Sequence, residues 1–288
     1  MVPCPTVSFR RGSLPLQLFS YILFTALPIL AGLFCLYILL LYFLQDAVTF
    51  APFMGQKKLI RFAEIETFPN VLQYPTQMQG KWNDYFKNES TITLELACGK
   101  GEYAVGLGRI FHQRNFIGVD LKGNRIWVGA KTALKENLTN VAFVRSQIDK
   151  ADAYFATDEV SEIWITFPDP QLRKSKHKKR LTHPRFLRLY QLFLKQGSLI
   201  HLKTDSPVLY QFTKKVIELF QLNLQTDSND LYSDSTLSQE LKIKTHYEGL
   251  DIAKSNRIHY LCFSLPPAKL AVEPELLLKQ WVLENEGE

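Results

Sequence analysis

The sequence predicts an α/β fold, a mostly parallel sheet with helices on both faces and a C-terminal antiparallel hairpin. Three observations predict it. From Ile92 onward, short β-rich apolar runs alternate with segments of helical periodicity, the pattern of repeated βα units and a parallel sheet. A glycine turn, Ala97-Cys98-Gly99-Lys100-Gly101, joins the first such run to the first helix. Near the end, two strand-like runs follow one another with no helix between them.

In chain order, strands are expected at Ile92–Ala97, Asn115–Asp120, Val141–Arg145, Glu162–Phe167 and Ser198–Lys203. Helices are expected between them at Glu102–Phe111, Gly123–Glu136, Lys150–Phe155 and Pro184–Leu194. Another is expected at Ser206–Leu219, with Ser206 as N-cap and Pro207 as the first helical residue, a position that tolerates the missing N–H. Lys242–Tyr247 and Ile258–Leu265 are expected to form the hairpin, joined by the loop Gly249–Arg257. Asp227–Asp234 reads as a polar loop, and residues 54–90 are cut into short pieces by Pro69, Pro75 and Gly80.

The first fifty residues differ in character. Leu14–Leu44 is an uncharged run of 31 residues, longer than the ~20 that span a bilayer. It is too long for the apolar core of a signal peptide, and no A-x-A-like cleavage site follows it. Two readings stand: a membrane-spanning segment, or an upstream extension with the start at Met54, where Met-Gly-Gln-Lys-Lys opens an ordinary polar N-terminus. The expected organisation is therefore an apolar extension over 1–53 and one catalytic unit over 54–288.

A chain of 288 residues with 46% hydrophobic residues supports a sizeable core. Its net charge of +6 is concentrated around Arg173–Arg188, and a local basic block points to a polyanionic partner. Cys4, Cys35, Cys98 and Cys262 have neither metal-ligand nor disulfide-framework spacing, so no metal site is expected and Cys98 and Cys262 read as small buried residues. The six histidines show no ligand spacing either; His177 and His246 are the two placed near RNA.

Leu94–Tyr103 carries two patterns at once. Gly99, Gly101 and Ala104 satisfy the dinucleotide fingerprint. Glu95, Ala97, Gly99 and Gly101 also satisfy the looser pattern for S-adenosyl-L-methionine, an acid two residues before a small-residue/Gly-x-Gly loop. Glu95 at the strand end would accept from an ammonium group and repel a pyrophosphate. Asp120, ending the next strand, is placed for ribose hydroxyls with either ligand.

Phe167-Pro168-Asp169-Pro170 ends the fourth strand of this unit, and eight of the next eighteen residues are Lys or Arg. The two prolines restrict the backbone around Asp169, so its carboxylate is aimed in advance. Such a group can accept from the N1–H and 2-amino group of an unstacked guanine. Guanine N7 carries a free lone pair, so its methylation needs no general base. The basic loop Arg173–Arg180 would hold phosphates beside the pocket.

From Met54 to Leu265 the chain resembles the bacterial tRNA (guanine-N7)-methyltransferases of the TrmB type. The resemblance rests on Met54-Gly-Gln-Lys-Lys at the opening, on Phe167-Pro-Asp-Pro with its Lys/Arg/His run, and on Arg180-Leu-Thr-His-Pro-Arg-Phe-Leu187. It implies a Rossmann-like class I methyltransferase fold, S-adenosyl-L-methionine as cofactor, and tRNA as partner with guanine 46 of the variable loop as target. Glu95 and Asp120 match the family's cofactor-binding acids, and Asp169 the acid shared between cofactor site and catalysis. Arg173 stands where the family has a substrate-contacting Lys. Asp205 matches another substrate contact, and Thr245-His246-Tyr247-Glu248 the T-x-x-E segment. Ala97 replaces a first glycine, which is expected to be sterically mild, and Gln147 is matched to the cofactor contact after the third strand. A cytoplasmic enzyme is implied, with membrane attachment only through residues 14–44. Two other classes remain open: a nicotinamide-dependent oxidoreductase using the same glycine turn, and a non-catalytic, membrane-anchored RNA-binding protein.

Overall fold

The structure is a computed structural model that describes residues 52–250 and 252–287, with side chains from residue 58 onward. Leu14–Leu44 lies outside the described residues. Among the described residues, no helix is long and apolar enough to cross a membrane. The chain divides into two units, Met1–Leu59 and Ile60–Glu288. Helix α1 (Pro52–Ile65) runs into the second unit, which holds all the other described elements.

Among the described residues, eight strands form one sheet. They are β1 (Val71–Gln73), β2 (Ile92–Leu96), β3 (Asn115–Asp120), β4 (Val141–Arg145), β5 (Val160–Thr166), β6 (Leu194–Thr204), β7 (Asn223–Ser228) and β8 (His259–Ser264). Their order across the sheet is β1-β4-β3-β2-β5-β6-β8-β7. Strands β1 to β6 pair in parallel, and β8 lies antiparallel between β6 and β7. The strand order reverses at β2, which has β3 on one side and β5 on the other, so a crevice opens there beyond the carboxyl ends.

Side-chain alternation along the strands builds two cores. Ile92, Leu94, Leu96, Ile117, Val119, Ile163, Ile165, Leu261 and Phe263 face one side. There they meet α2 (Trp82–Phe86), α5 (Pro184–Tyr190), α6 (Pro207–Leu219) and α7 (Pro274–Asn285). Phe116, Phe143, Trp164, Tyr260 and Cys262 face the other side, under α3 (Glu102–Ile110) and α4 (Gly123–Lys135). The period of two is what a sheet buried on both faces requires.

Several elements differ from expectation for physical reasons. The hairpin partner of β8 is Asn223–Ser228, not Lys242–Tyr247. As an edge strand, β7 is almost wholly exposed, so its sequence is polar and gives no apolar signal. Lys242–Tyr247 alternates because Ile243 packs down on Gly106, while its backbone bonds to side chains and within local turns instead of to a neighbouring strand. Lys150–Phe155 forms no α-helix; a 3₁₀ turn, Ile148–Ala153, takes in only its first four residues, and the helix from Pro184 stops at Tyr190. Ser206 does cap α6, its Oγ accepting from the Leu209 N–H at 3.3 Å, with Pro207 next.

Candidate active site

Where β2, β3, β5 and β6 end, an open cavity of about 610 Å³ is lined by Glu95, Ala97, Gly99, Asp120, Asp169, Asp205, Thr245 and Tyr247 among others. Eight of the residues marked in the sequence thus meet in one place. Gly101, Gln147, Arg173, His246 and Glu248 do not line it.

The glycine turn is shaped by close packing. Gly101 starts α3 at φ +66°, and a Cβ there would stand 2.3 Å from the Phe143 ring. Its role is therefore to let the turn settle on β4, while Gly99 faces the cavity. Ala97 sits at φ +57°. Replacing the family's first glycine is thus a conformational matter more than a steric one, because a residue with a Cβ pays about 1–2 kcal/mol in the left-handed region. Phe167 and Gln171, flanking the proline turn, are also left-handed at φ +48°, so three non-glycine residues around the cavity hold sparsely populated conformations.

Glu95 is buried, its Oε2 accepting from the Ala104 N–H and its Oε1 from the Thr166 hydroxyl, both at 2.8 Å. Burial pushes its carboxyl up to about 8, against those two hydrogen bonds. Asp120 accepts from the N–H of Gly99 at 2.9 Å and of Lys122 at 2.8 Å, which ties the glycine turn to the end of β3. Asp169 is exposed, and its Oδ1 accepts from the Gln171 N–H at 3.0 Å. Asp205 accepts from the Ala253 N–H at 3.2 Å. Gln147 is exposed at the start of the 3₁₀ turn after β4.

The basic loop is less uniform than its sequence suggests. Arg173, Lys176, Lys178 and Lys179 are exposed, but Arg180 is fully buried. Its Nε donates to the Pro170 carbonyl at 3.0 Å and one Nη to the Gln171 carbonyl at 3.2 Å. Both Nη groups reach the Glu286 carboxylate, at 2.6 and 2.7 Å. The guanidinium also lies 4.5 Å from the Phe212 ring centroid. Arg180 therefore clamps the turn that carries Asp169 rather than facing solvent. His177, expected near RNA, is buried with its Nδ1 2.7 Å from the Lys174 carbonyl; His246 is exposed.

Glu248, expected to touch substrate, is turned inward towards buried Lys203 at 3.1 Å. Thr166, Arg125, Lys203 and Glu286 were not marked in the sequence, and Arg180 was marked only as part of the phosphate-holding loop, a place its burial rules out. Only Lys203 had a readable signal, a charge amid the apolar residues Ile200 and Leu202 of a strand. Among the described residues no cluster able to hold a metal ion is found.

The cavity's charge selects its ligand. Five carboxyl groups (Glu95, Glu102, Asp120, Asp169, Asp205) face two cations, Lys122 and Arg125. A pyrophosphate would meet this excess of acids unfavourably, whereas a ligand bearing a sulfonium and an ammonium is matched to it. Such a cavity at the switch point of a parallel sheet closed by an antiparallel hairpin defines a class I methyltransferase dependent on S-adenosyl-L-methionine. A family model described as "Putative methyltransferase" matches residues 89–261. A tRNA (guanine-N(7)-)-methyltransferase of Bacteroides thetaiotaomicron is 44% identical over 232 residues, covering 77% of this chain and 91% of that protein. Its counterpart in Porphyromonas gingivalis is 48% identical over 213 residues, covering 70% and 86%. The crystal structure of the 16S rRNA methyltransferase KamB shares the fold at a TM-score of 0.50 and 12% identity, covering 69% of this chain and 99% of that one. The chain belongs to the tRNA (guanine-N7)-methyltransferase family.

Proposed function

We propose that this chain methylates N7 of a guanine in tRNA, guanine 46 of the variable loop, with Glu95, Asp120 and the Gly99 turn holding the cofactor and Asp169 the base. The observation that carries the reading is the single acid-rich cavity in which Glu95, Gly99, Asp120 and Asp169 meet, beside a loop of exposed cations.

When bound, S-adenosyl-L-methionine supplies an electrophilic methyl group on a sulfonium. Glu95 and Asp120 sit at the ends of neighbouring strands, and Asp120 also fixes the Gly99 amide. Asp169 has one oxygen committed to its own turn, which leaves the other for the N–H donors on the guanine's Watson–Crick edge. N7 then attacks with its own lone pair, so the residues need only align it and exclude water. As the N7–methyl bond forms, the sulfonium–methyl bond would break and leave a neutral thioether, so the positive charge would pass to the purine, where the surrounding carboxylates favour it. Arg173, Lys176, Lys178 and Lys179 are assigned to tRNA phosphates, and Thr245 and Tyr247 to the substrate side of the cavity. Gln147 and His246 stand outside the lining and are assigned to the rim. The unit is proposed to work in the cytoplasm, where its substrate is.

The test is transfer of labelled methyl from S-adenosyl-L-methionine to unmodified tRNA, with the modified base mapped by cleavage at N7-methylguanine. Label at the variable-loop guanine is the expected result. Label elsewhere in the tRNA would overturn the site assignment, and retained affinity for a nicotinamide dinucleotide with none for S-adenosyl-L-methionine would overturn the reaction.

A further inference from the structure

Lys203, on β6, is fully buried, and the reaction just described makes no use of it. Its ammonium donates to the carbonyls of Ile243 at 2.9 Å and Leu241 at 3.2 Å, and to the Tyr232 hydroxyl at 3.0 Å. The Glu248 carboxylate lies 3.1 Å away, and Tyr232 in turn donates to that carboxylate. All these partners belong to the stretch 231–248, which crosses the carboxyl end of the sheet without joining it as a strand. Two further bonds tie the same stretch to α3. Tyr103 donates to the Glu240 carbonyl at 2.5 Å, and the His246 N–H donates to Glu102 at 2.8 Å. Between the anchors at 243 and 248 lie Thr245 and Tyr247, both in the cavity wall. Tyr247 is stacked under the Arg125 guanidinium at 5.5 Å, and its ring would stand 3.6 Å from a Cβ on Gly99.

A buried ammonium is costly unless its donors are used. Here they are spent on one irregular segment, and the Lys203 ammonium also lies 5.9 Å from the Phe167 ring that opens the Asp169 turn. We infer that Lys203 is a positioning residue for methyl transfer: with Tyr232 it pins Glu248 and the carbonyls of Leu241 and Ile243, so that the strap 240–248 delivers Thr245 and Tyr247 to the cavity. Glu248 accordingly acts through Lys203 and not by touching the base. Lys203→Met removes the pin and leaves an apolar side chain of similar length in the sheet, so the core survives while the strap loosens.

The inference rests on the proposed reaction, and its test separates the two. Wild-type protein must first transfer methyl to tRNA; if it does not, the functional reading fails before the variants are considered. Cofactor affinity and amide hydrogen exchange are then read on the full chain without reference to turnover. For Lys203→Met, exchange should quicken at least tenfold in residues 240–248, with β2, β3 and β5 unchanged. Its kcat/KM should fall about 100-fold, with the larger share in KM, as for loss of a charged buried hydrogen bond. Tyr232→Phe, which is milder, should reproduce the same split at about three- to tenfold. Glu248→Gln combined with Lys203→Met should lose little more than Lys203→Met alone. The inference is overturned if strap exchange and KM stay at wild-type values in either single variant. It is equally overturned if the losses of Lys203→Met and of Glu248→Gln, each measured alone, add fully in the double variant, or if exchange rises across the whole sheet, since then Lys203 merely supports the core.

Discussion

Glu95 and Asp169 are carboxylates of one cavity, yet their surroundings set them different tasks. Asp169 stands in solvent on a turn fixed by Pro168, Pro170 and its own bond to the Gln171 amide. Asp169→Ala should therefore leave folding and tRNA binding near wild type while lowering methyl transfer at least 100-fold, as for a group that aligns the reacting base. Single-turnover label transfer beside a filter-binding isotherm checks both halves, and substantial residual transfer would remove Asp169 from this role. Glu95 is the opposite case. Burial raises its carboxyl from 4.5 to about 8, so between those values the ligand-free folded state holds a proton that the unfolded state has lost. Stability is then fullest below about 4.5 and falls as pH rises towards 8, by an upper bound of about 5 kcal/mol. Glu95→Gln can keep the bonds to Ala104 and Thr166 but has nothing to ionise. Its melting temperature should exceed that of the wild type by several degrees at pH 8, with the gap closing towards pH 5. It should also bind S-adenosyl-L-methionine more weakly, since a cationic partner is what restores the charge. Parallel melting curves across that range would show that Glu95 is ionised without ligand.

Elements that bury an apolar stripe were legible, and elements defined by what they bond to were not. Strands β2 to β6 announced themselves through β-branched and aromatic runs, and α6 through its Ser206-Pro207 start. The exposed edge strand β7 carries Asn, Gln, Thr, Asp and Ser, indistinguishable by composition from a loop. The strap 240–248 imitated a strand because Ile243 and Tyr247 both face inward, although its carbonyls go to Lys203. In the basic run, charge alone could not separate Arg180 from its neighbours, because the partner that buries it, Glu286, lies 106 positions away. That distinction is testable. Replacing Lys176, Lys178 and Lys179 by Ala should weaken tRNA binding and flatten its dependence on log salt by about 0.7–0.9 for each phosphate no longer neutralised, with the melting temperature unchanged. Glu286→Gln should instead leave the salt slope alone and destabilise the fold by about 3–5 kcal/mol, because a buried guanidinium loses its counter-charge. Equal effects of the two changes on the salt slope would place Arg180 in solvent.

At the scale of the whole molecule, the residues proposed for the reaction are spread over a long stretch of chain yet lie within one unit. The cavity draws on residues from Glu95 to Ala253, the sheet runs from Val71 to Ser264, and the C-terminal helix returns through Glu286 to the turn bearing Asp169. All of these fall inside Ile60–Glu288. The match to the Bacteroides thetaiotaomicron relative covers 91% of that protein but only 77% of this chain. A chain beginning at Met54 retains α1 nearly whole and every residue assigned here to cofactor, base or phosphate. It should therefore bind S-adenosyl-L-methionine and methylate tRNA within about threefold of the full chain, a difference under ~1 kcal/mol. The assay is label transfer with both proteins side by side in the same detergent, so that any effect of the apolar run on solubility is shared. Equal rates would assign residues 1–53 a role apart from the chemistry. A short chain that folds and binds cofactor but transfers at least tenfold more slowly would mean that the N-terminal segment contributes directly to the tRNA complex.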